Sequence, residues 1–265
     1  MALNSELPKE IGDLAQDGDM RQVCAWLDAG GSIDAQDESG YTLIACCALG
    51  SRDDRVIGDE QVALARHLIG RGANVNIDLG DESSAIGCRG NAPLHFACSD
   101  IAPGRSAMVS LLLAAGANVN ARNYHGETPL SLAVSLEDSY PEQAADNWLE
   151  VVTLLLKRGA SLDECRSDNY DDNRSAEDAF NQARAYYVWG GEDENVLAVK
   201  ALIDGVRKHG SYKRYMRAPH RDVLACRGLA QRGKLSTEHR ALNFLAKQGD
   251  NGIVWTVLSY WRATE

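Results

Sequence analysis

The stretch from Asn91 to Val134 decides the fold, and it reads NAPLHFACSDIAPGRSAMVSLLLAAGANVNARNYHGETPLSLAV. Pro93 and Pro129 each suit the first turn of a helix, because the N–H that proline lacks would have no partner there. Gly116 suits the left-handed residue that ends a helix. The stretch therefore predicts a helix, a turn, a second helix and an extended loop. Such a unit needs neighbours of its own kind to bury its apolar face.

The same unit recurs along the chain. Apolar triplets at 111–113 and 154–156 each end a helix that needs neighbours on more than one side. The glycines that are predicted to end helices lie 42, 44 and 43 residues apart, at Gly30, Gly72, Gly116 and Gly159. This period predicts a stacked array in which each unit contacts the next.

These residues resemble the ankyrin repeat. The sequences APLHFA and ETPLSLA stand where that family has Thr-Pro-Leu-His-x-Ala, and Val75-Asn76 and Val119-Asn120 stand at its turn into the finger hairpin. GYTLIACCA at 40–48 and NRSAEDAF at 173–180 are weaker copies. The usual ankyrin period is about 33 residues, so each unit here carries roughly ten more.

The resemblance implies an all-α solenoid of four to five helix-turn-helix repeats with β-hairpin fingers. We expect the array to span residues 1–208, with a cap at 5–35 and repeats starting near 37, 77, 123 and 166. Residues 209–265 are predicted to form a basic C-terminal segment of three short helices. No β-sheet is expected beyond the fingers.

Charge divides the chain at the same point. Residues 1–204 carry a net charge of −19, and residues 205–265 carry +8. An acidic array favours a basic or mixed-charge protein segment as partner and argues against nucleic acid binding. The seven cysteines are an odd number with no C-x-x-C pair, so they predict reduced thiols and a cytoplasmic or nuclear location. No apolar run of 18 residues occurs, which predicts no membrane insertion.

The extra residues fall mainly between the two helices of a repeat. The sequences LGSRDDRVIGDEQ, SDIAPGRSA and SLEDSYPEQAADNW occupy equivalent places in three repeats. They would lie along the edge opposite the fingers. Two interpretations are open: solvated loops that join longer helices, or a second contact surface.

The sequence predicts no catalytic residue, metal or cofactor. The phosphate-binding, zinc and nucleophile-elbow motifs do not occur. His95 and Thr128 occupy the helix-opening motif, where they would bond backbone groups and neighbouring repeats. Cys46 and Cys47 lie on a predicted helix and are interpreted as structural. A calcium loop from Asp171 would need Gly at its sixth position and Glu at its twelfth, where Ala176 and Gln182 stand.

The resemblance also implies where a partner binds, because ankyrin proteins use their finger tips and the exposed faces of their first helices. Aromatic residues anchor such a surface, and charged residues steer the partner. The corresponding residues here are Glu38, Ser39, Tyr41, Arg89, Asn91, Ser99, Asp100, Tyr124, His125, Glu127, Ser135, Asp171, Asp172 and Arg174.

Three functions fit this sequence. The first is a non-catalytic interaction module or scaffold that binds a protein through the array. The second is a substrate adaptor of a ubiquitin ligase, since NGIVWTVLSYW near the C-terminus resembles an F-box helix and some ankyrin proteins end in a SOCS box. The third is a structural subunit of a larger assembly.

Overall fold

The computed structural model describes residues 4–80, 88–99, 104–135, 141–163, 175–186 and 194–218. The chain divides into two compact units, Met1–Asp204 and Gly205–Glu265. The described elements are β1 (Asn4–Glu6), α1 (Lys9–Gln16), α2 (Met20–Asp28), β2 (Gly31–Gln36), α3 (Leu43–Leu49), α4 (Asp59–Gly70), α5 (Pro93–Cys98), α6 (Arg105–Ala114), α7 (Pro129–Ser135), α8 (Pro141–Lys157), α9 (Ala176–Tyr186) and α10 (Glu194–His209).

The helices of the first unit form two layers. In one layer, α1 packs on α3, α3 on α5, α5 on α7, and α7 on α9. In the other, α4 packs on α6 and α6 on α8. The first helices α1, α3, α5 and α7 also contact the second helices of their own pairs, α2, α4, α6 and α8. This arrangement confirms the predicted all-α solenoid of stacked helix pairs.

The helices begin and end where the sequence predicts. Pro93 and Pro129 open α5 and α7. Thr42 caps α3, and its hydroxyl accepts the Ala45 N–H at 3.3 Å. The helix-ending glycines all have positive φ: 102° at Gly30, 96° at Gly72, 90° at Gly116 and 91° at Gly159. Only glycine takes this backbone conformation without strain, which explains why the residue recurs at each helix end.

The N-terminal part of the chain contains a short parallel β pair, β1 with β2, which lies outside the finger hairpins that were expected. Leu7 directly follows β1 and explains the position of this strand. Its backbone N–H donates to the Gln36 carbonyl at 3.0 Å, and its side chain is buried. Burial of this leucine therefore holds the preceding strand along β2.

The core runs continuously between the two layers. Leu112 and Leu155, from the two apolar triplets, are both completely buried. Trp148 of α8 connects to the next first helix, because its ring stacks on Phe180 at a centroid distance of 6.2 Å. Its indole N–H donates to the Ala133 carbonyl at 2.8 Å. Trp148 thus connects α8 to α7 and to α9.

Replacing Leu112 or Leu155 with alanine is expected to lower the free energy of unfolding by about 3 kcal/mol, since removing a buried leucine loses transfer energy and leaves a cavity. Chemical denaturation of each variant measures this change. Leu197 is 45% exposed, and Leu197→Ala is the matched control, with an expected effect within about 0.5 kcal/mol. Equal stability of all three variants would contradict the position of these leucines in the core.

The second unit is described only in its first residues. The ring of Tyr215 lies directly against Gly205, in the space that a Cβ atom would need. Tyr215 also lies 6.1 Å from His209 between ring centroids. The predicted three helices of this segment fall on residues beyond 218, outside the described residues.

Candidate partner-binding surface

The first finger is closed by a single carboxylate. Asp37 Oδ1 accepts the backbone N–H groups of Ser39 and Tyr41, both at 2.9 Å. The backbone of Asp37 also donates to the Tyr41 carbonyl at 3.0 Å. Glu38, a predicted binding residue, is exposed at this tip, and Ser39 is half-buried. An aspartate that bonds its own turn fixes the tip without help from a partner.

The third finger has the same turn, built by Asn123. Its Oδ1 accepts the N–H groups of His125 at 3.0 Å and Glu127 at 2.9 Å. Its Nδ2 donates to the Glu127 carboxylate at 2.8 Å and to Asn91 Oδ1 at 2.9 Å. Asn123 is buried and was not among the predicted site residues. The signal that could have identified it is the spacing Asp-x-x-Gly at 37–40, repeated as Asn-x-x-Gly at 123–126.

The second finger is built differently. Leu79 stands where Asp37 and Asn123 stand, and its N–H donates to the Asn91 carbonyl at 3.1 Å. Leucine cannot cap a turn, and eleven residues separate Leu79 from Asn91, where three separate Asp37 from Tyr41. Asn91 was predicted to contact a partner, but only 5% of it is exposed. Its side chain instead joins the second finger to the third.

Tyr124 is the most exposed aromatic side chain in the described part of the first unit, at 43%. Its backbone N–H donates to the Arg89 carbonyl at 2.9 Å. Its ring meets that of half-buried His125 edge-on, with centroids 6.2 Å apart and an interplanar angle of 87°. The predicted residues Arg89, Tyr124, His125 and Glu127 therefore lie together around the tip of the third finger.

Tyr41 lies deeper, at the base of the first finger. Its ring packs on Phe96 of α5 at a centroid distance of 5.5 Å. Burial, and then the neighbouring Cys88 thiol, raise the pKa of the Tyr41 hydroxyl above its ordinary value. Tyr41 is half-buried, so it offers a partner the edge of an apolar surface.

Two predicted serines lie where first helices end. The exposed Ser99 donates its hydroxyl to the Phe96 carbonyl at 3.1 Å, and half-buried Ser135 donates to the Leu132 carbonyl at 3.0 Å. These bonds satisfy carbonyls that the helix leaves without partners. Four predicted binding residues lie outside the described residues: Asp100, Asp171, Asp172 and Arg174.

The first helices α3, α5 and α7 contain no Asp, Glu, Lys or Arg. Their sequences are LIACCAL in α3, PLHFAC in α5 and PLSLAVS in α7. Within the described residues of these three repeats, the charge on the surface formed by the fingers and first helices therefore comes from the fingers.

His95 connects two repeats through its neutral imidazole. Nδ1 accepts the Ala92 N–H at 3.0 Å, so Nε2 carries the proton. Nε2 lies 3.1 Å from the Ala121 carbonyl and 3.2 Å from the Glu127 carbonyl, to which it donates. Burial lowers the pKa of His95 from 6.5 to about 4. All its bonding capacity is used within the array, as the motif predicts.

Thr128 has a similar structural role at the start of α7. Its Oγ1 accepts the Ser131 N–H at 3.2 Å, while its own N–H donates to Ser131 Oγ at 2.8 Å. This reciprocal pair caps the helix. Both side chains are buried, so neither hydroxyl faces a substrate.

The cysteines of the core are inert thiols. Burial raises the pKa of Cys47 and of Cys98 to about 12, and it raises the pKa of Cys46 as well. A thiol reacts as its thiolate, so these groups have little nucleophilic character at neutral pH. In the described ranges, no three His, Cys, Asp or Glu side chains are placed to hold a metal ion. The described helices include none with the length and apolar character needed to span a membrane.

Arg105 is a buried cation that sequence reasoning missed. Its guanidinium donates to the Phe96 carbonyl at 2.6 Å and the Ala48 carbonyl at 3.2 Å through Nη1. Nη2 donates to the carbonyls of Leu49 at 3.2 Å and Arg55 at 2.9 Å. The side chain is 2% exposed. It joins the C-terminal ends of α3 and α5, where helix carbonyls favour a positive charge.

Arg105 also anchors the first inter-helix insertion, residues 51–58. Arg55 lies in this loop with a φ of 56°, a strained conformation for a residue with a side chain. At the other side of the loop, Arg52 contacts Asp13 at 3.1 Å and Asp17 at 2.5 Å. The backbone of Gly104 packs directly on the Ile57 carbonyl, and a Cβ atom at position 104 would collide with that oxygen. The insertion is thus tied to the cap and to α6.

Asparagine side chains hold successive finger bases in register. Asn76 Oδ1 accepts the Asn118 N–H at 2.8 Å, and its Nδ2 donates to the Gly116 carbonyl at 3.2 Å. One repeat later, Asn120 bonds the Ser161 N–H at 2.9 Å and the Gly159 carbonyl at 3.3 Å. The repeated bond pair gives each finger a fixed position relative to the next.

Comparison with known proteins agrees with this geometry. A family model of ankyrin repeats matches residues 55–164 in three copies. Over 60 residues the chain is 45% identical to palmitoyltransferase ZDHHC17 of Danio rerio, a match that covers 23% of this chain and 8% of that protein. The chain therefore spans less than a tenth of the relative it matches. The three matched copies, the stacked helix pairs and the left-handed helix-ending glycines show together that this chain contains an array of ankyrin repeats.

Proposed function

We propose that this chain is a non-catalytic interaction module that binds a partner protein through its finger tips and the adjoining concave side. Ankyrin repeats in general mediate protein–protein interaction, which supports the coarse function. The partner segment is basic or mixed in charge, since residues 1–204 carry a net charge of −19.

The exposed ring of Tyr124 is the observation that carries this proposal. Tyrosines are enriched among the residues that dominate binding energy, because a large ring with few rotatable bonds loses little entropy on contact. Here the ring is presented by a finger that Asn123 holds with four side-chain hydrogen bonds. A partner would thus meet a surface that is already ordered.

The buried groups support a binding role over catalysis. His95 and Thr128 are occupied by structural hydrogen bonds, and the thiols of Cys46, Cys47 and Cys98 have raised pKa values. A catalytic acid, base or nucleophile needs access to substrate and a pKa suited to its task. His95, Thr128 and the three thiols are buried away from substrate, and the thiols also lack a suitable pKa. Their role is therefore structural.

Replacing Tyr124 with alanine is expected to weaken partner retention about tenfold or more while stability stays within about 0.5 kcal/mol, as for a hot-spot residue on the surface. The measurement is affinity capture with the full chain, with captured proteins identified and quantified. Leu197→Ala is the matched control, because Leu197 has a similar exposure of 45% but belongs to the helix α10 and not to a finger.

The two variants together decide the proposal. Loss of the same partners from Tyr124→Ala and retention by Leu197→Ala would support binding at the fingers. Equal retention by both variants and the parent would contradict it, because the exposed ring would then contribute nothing.

A further inference from the structure

The fingers present equivalent positions in rows, counted from the helix-ending glycines. Six residues after Gly30, Gly72 and Gly116, the row holds Gln36, Asp78 and Arg122. Eight residues after the same glycines, the row holds Glu38, Gly80 and Tyr124. Asp78, Arg122, Glu38, Gly80 and Tyr124 are exposed. Because successive repeats place equivalent residues side by side, each row crosses the finger surface from one repeat to the next.

The charge along these rows changes sign. The first two fingers expose the carboxylates of Glu38 and Asp78, and the third exposes the guanidinium of Arg122. The nearest carboxylate on the third finger belongs to Glu127, which is half-buried and accepts the Asn123 amide at 2.8 Å. Among the described residues of these two rows, the exposed charge is therefore negative on the first two fingers and positive on the third.

The fingers are joined, so the sign change is a fixed feature of the surface. Gln36 Nε2 donates to the Asp78 carbonyl at 3.0 Å, which connects the first finger to the second. The Tyr124 N–H donates to the Arg89 carbonyl at 2.9 Å, which connects the second finger to the third. A partner that contacts all three fingers meets the two signs in a set order.

We propose that the partner segment is mixed in charge and lies across the fingers in one direction, with its basic part over Glu38 and Asp78 and its acidic part over Arg122. An apolar side chain of the segment, next to its acidic part, contacts the ring of Tyr124. Complementary charges fix the register of a bound segment more than they raise its affinity. This inference rests on the proposed function and specifies the partner that the net charge of the array leaves open.

The test is a selection of random peptides of about 16 residues, displayed on phage, with a reach of roughly 50 Å when extended. The full chain and the exchange variant Asp78→Arg/Arg122→Asp are the two targets. The net charge of the chain is the same in both, so non-specific attraction is matched. Peptides that the parent selects should carry Lys or Arg toward one end and Asp or Glu toward the other. The exchange variant should bind them about tenfold more weakly, and it should select peptides in which an acidic residue faces position 78 and a basic residue faces position 122.

The outcomes separate this inference from the proposed function. Exchange of the selected charges opposite positions 78 and 122, with binding lost in Tyr124→Ala, supports the inference. Peptides that need Tyr124 but keep the same charge order on both targets would overturn it and leave the finger site intact. Peptides that bind parent, exchange variant and Tyr124→Ala equally would overturn both. Thermal unfolding of each variant confirms that these exposed substitutions leave the fold unchanged.

Discussion

Replacing Arg105 with alanine is expected to lower the free energy of unfolding by about 4 kcal/mol, the scale for removing one partner of a buried charged network. The guanidinium donates to four carbonyls from three segments, at 2.6 to 3.2 Å. Without it, those carbonyls lose charge-assisted bonds in a site that the side chain itself fills. The strained turn at Arg55 also loses the bond that holds it.

Two further variants make this expectation specific. Arg105→Lys keeps the charge and should recover about half of the loss, because one ammonium group cannot reproduce the planar fork that spans four carbonyls. Arg66→Ala removes an exposed arginine from α4 and should change stability by less than about 0.5 kcal/mol. Chemical denaturation measures all three. A loss below about 1 kcal/mol in Arg105→Ala would show that the carbonyls find other partners.

Most of the array could be predicted from the sequence, because the same local signals recur in successive repeats. A proline at the first turn and a glycine at the helix end act on their own residues, so they predict α5, α7 and the turns after α6 and α8. The buried leucines and the role of His95 follow from the same motif. These features depend on contacts within a repeat or with the next one, and the period specifies both.

Arg105 could not be predicted in this way. An arginine in a predicted inter-helix insertion is ordinarily solvated, and the burial of Arg105 here depends on carbonyls that lie up to 57 residues away. Gly104, directly before it, permits the close approach to Ile57 that brings α6 into place. A glycine followed by arginine is too common a pair to predict that approach.

Asn91 and Asn123 show the same limit at the candidate site. Position in the motif predicted Asn91 as a contact residue, yet the longer second finger places it beside Asn123, where it is buried. Asn123 lay one residue before the predicted contacts at Tyr124 and His125. Tip residues can be assigned from a motif, whereas the residues that hold the tip depend on how neighbouring fingers meet.

Stability is expected to fall by about 2 kcal/mol between pH 7 and pH 5, and by about 3 kcal/mol at pH 4, through His95 alone. Burial lowers the pKa of His95 from 6.5 to about 4 in the folded chain. Between these values the unfolded state binds a proton that the folded state excludes, so acid favours unfolding. The contribution is fully present above about pH 6.5 and is lost as the pH falls toward the folded value.

The structural reason lies at Nδ1. Protonation would convert this acceptor into a donor that faces the Ala92 N–H, so one buried hydrogen bond would become a repulsive contact. The Glu127 carbonyl on the other side belongs to the third finger. Loss of the hydrogen bonds of His95 therefore loosens the finger that carries Tyr124. Partner binding should weaken over the same pH range.

His95→Gln isolates this effect, because the amide does not titrate. Denaturation of parent and variant at pH 7, 6 and 5 gives the difference in their unfolding free energies, from which the common titration of carboxylates cancels. The variant should be less stable at pH 7, and the gap should narrow by about 2 kcal/mol at pH 5. Leu197→Ala, at an exposed position of α10, does not titrate and should leave the pH dependence of the parent unchanged. A constant gap in unfolding free energy between parent and His95→Gln would mean that His95 titrates normally. The assignment of His95 as a buried neutral imidazole that joins two repeats would then be wrong.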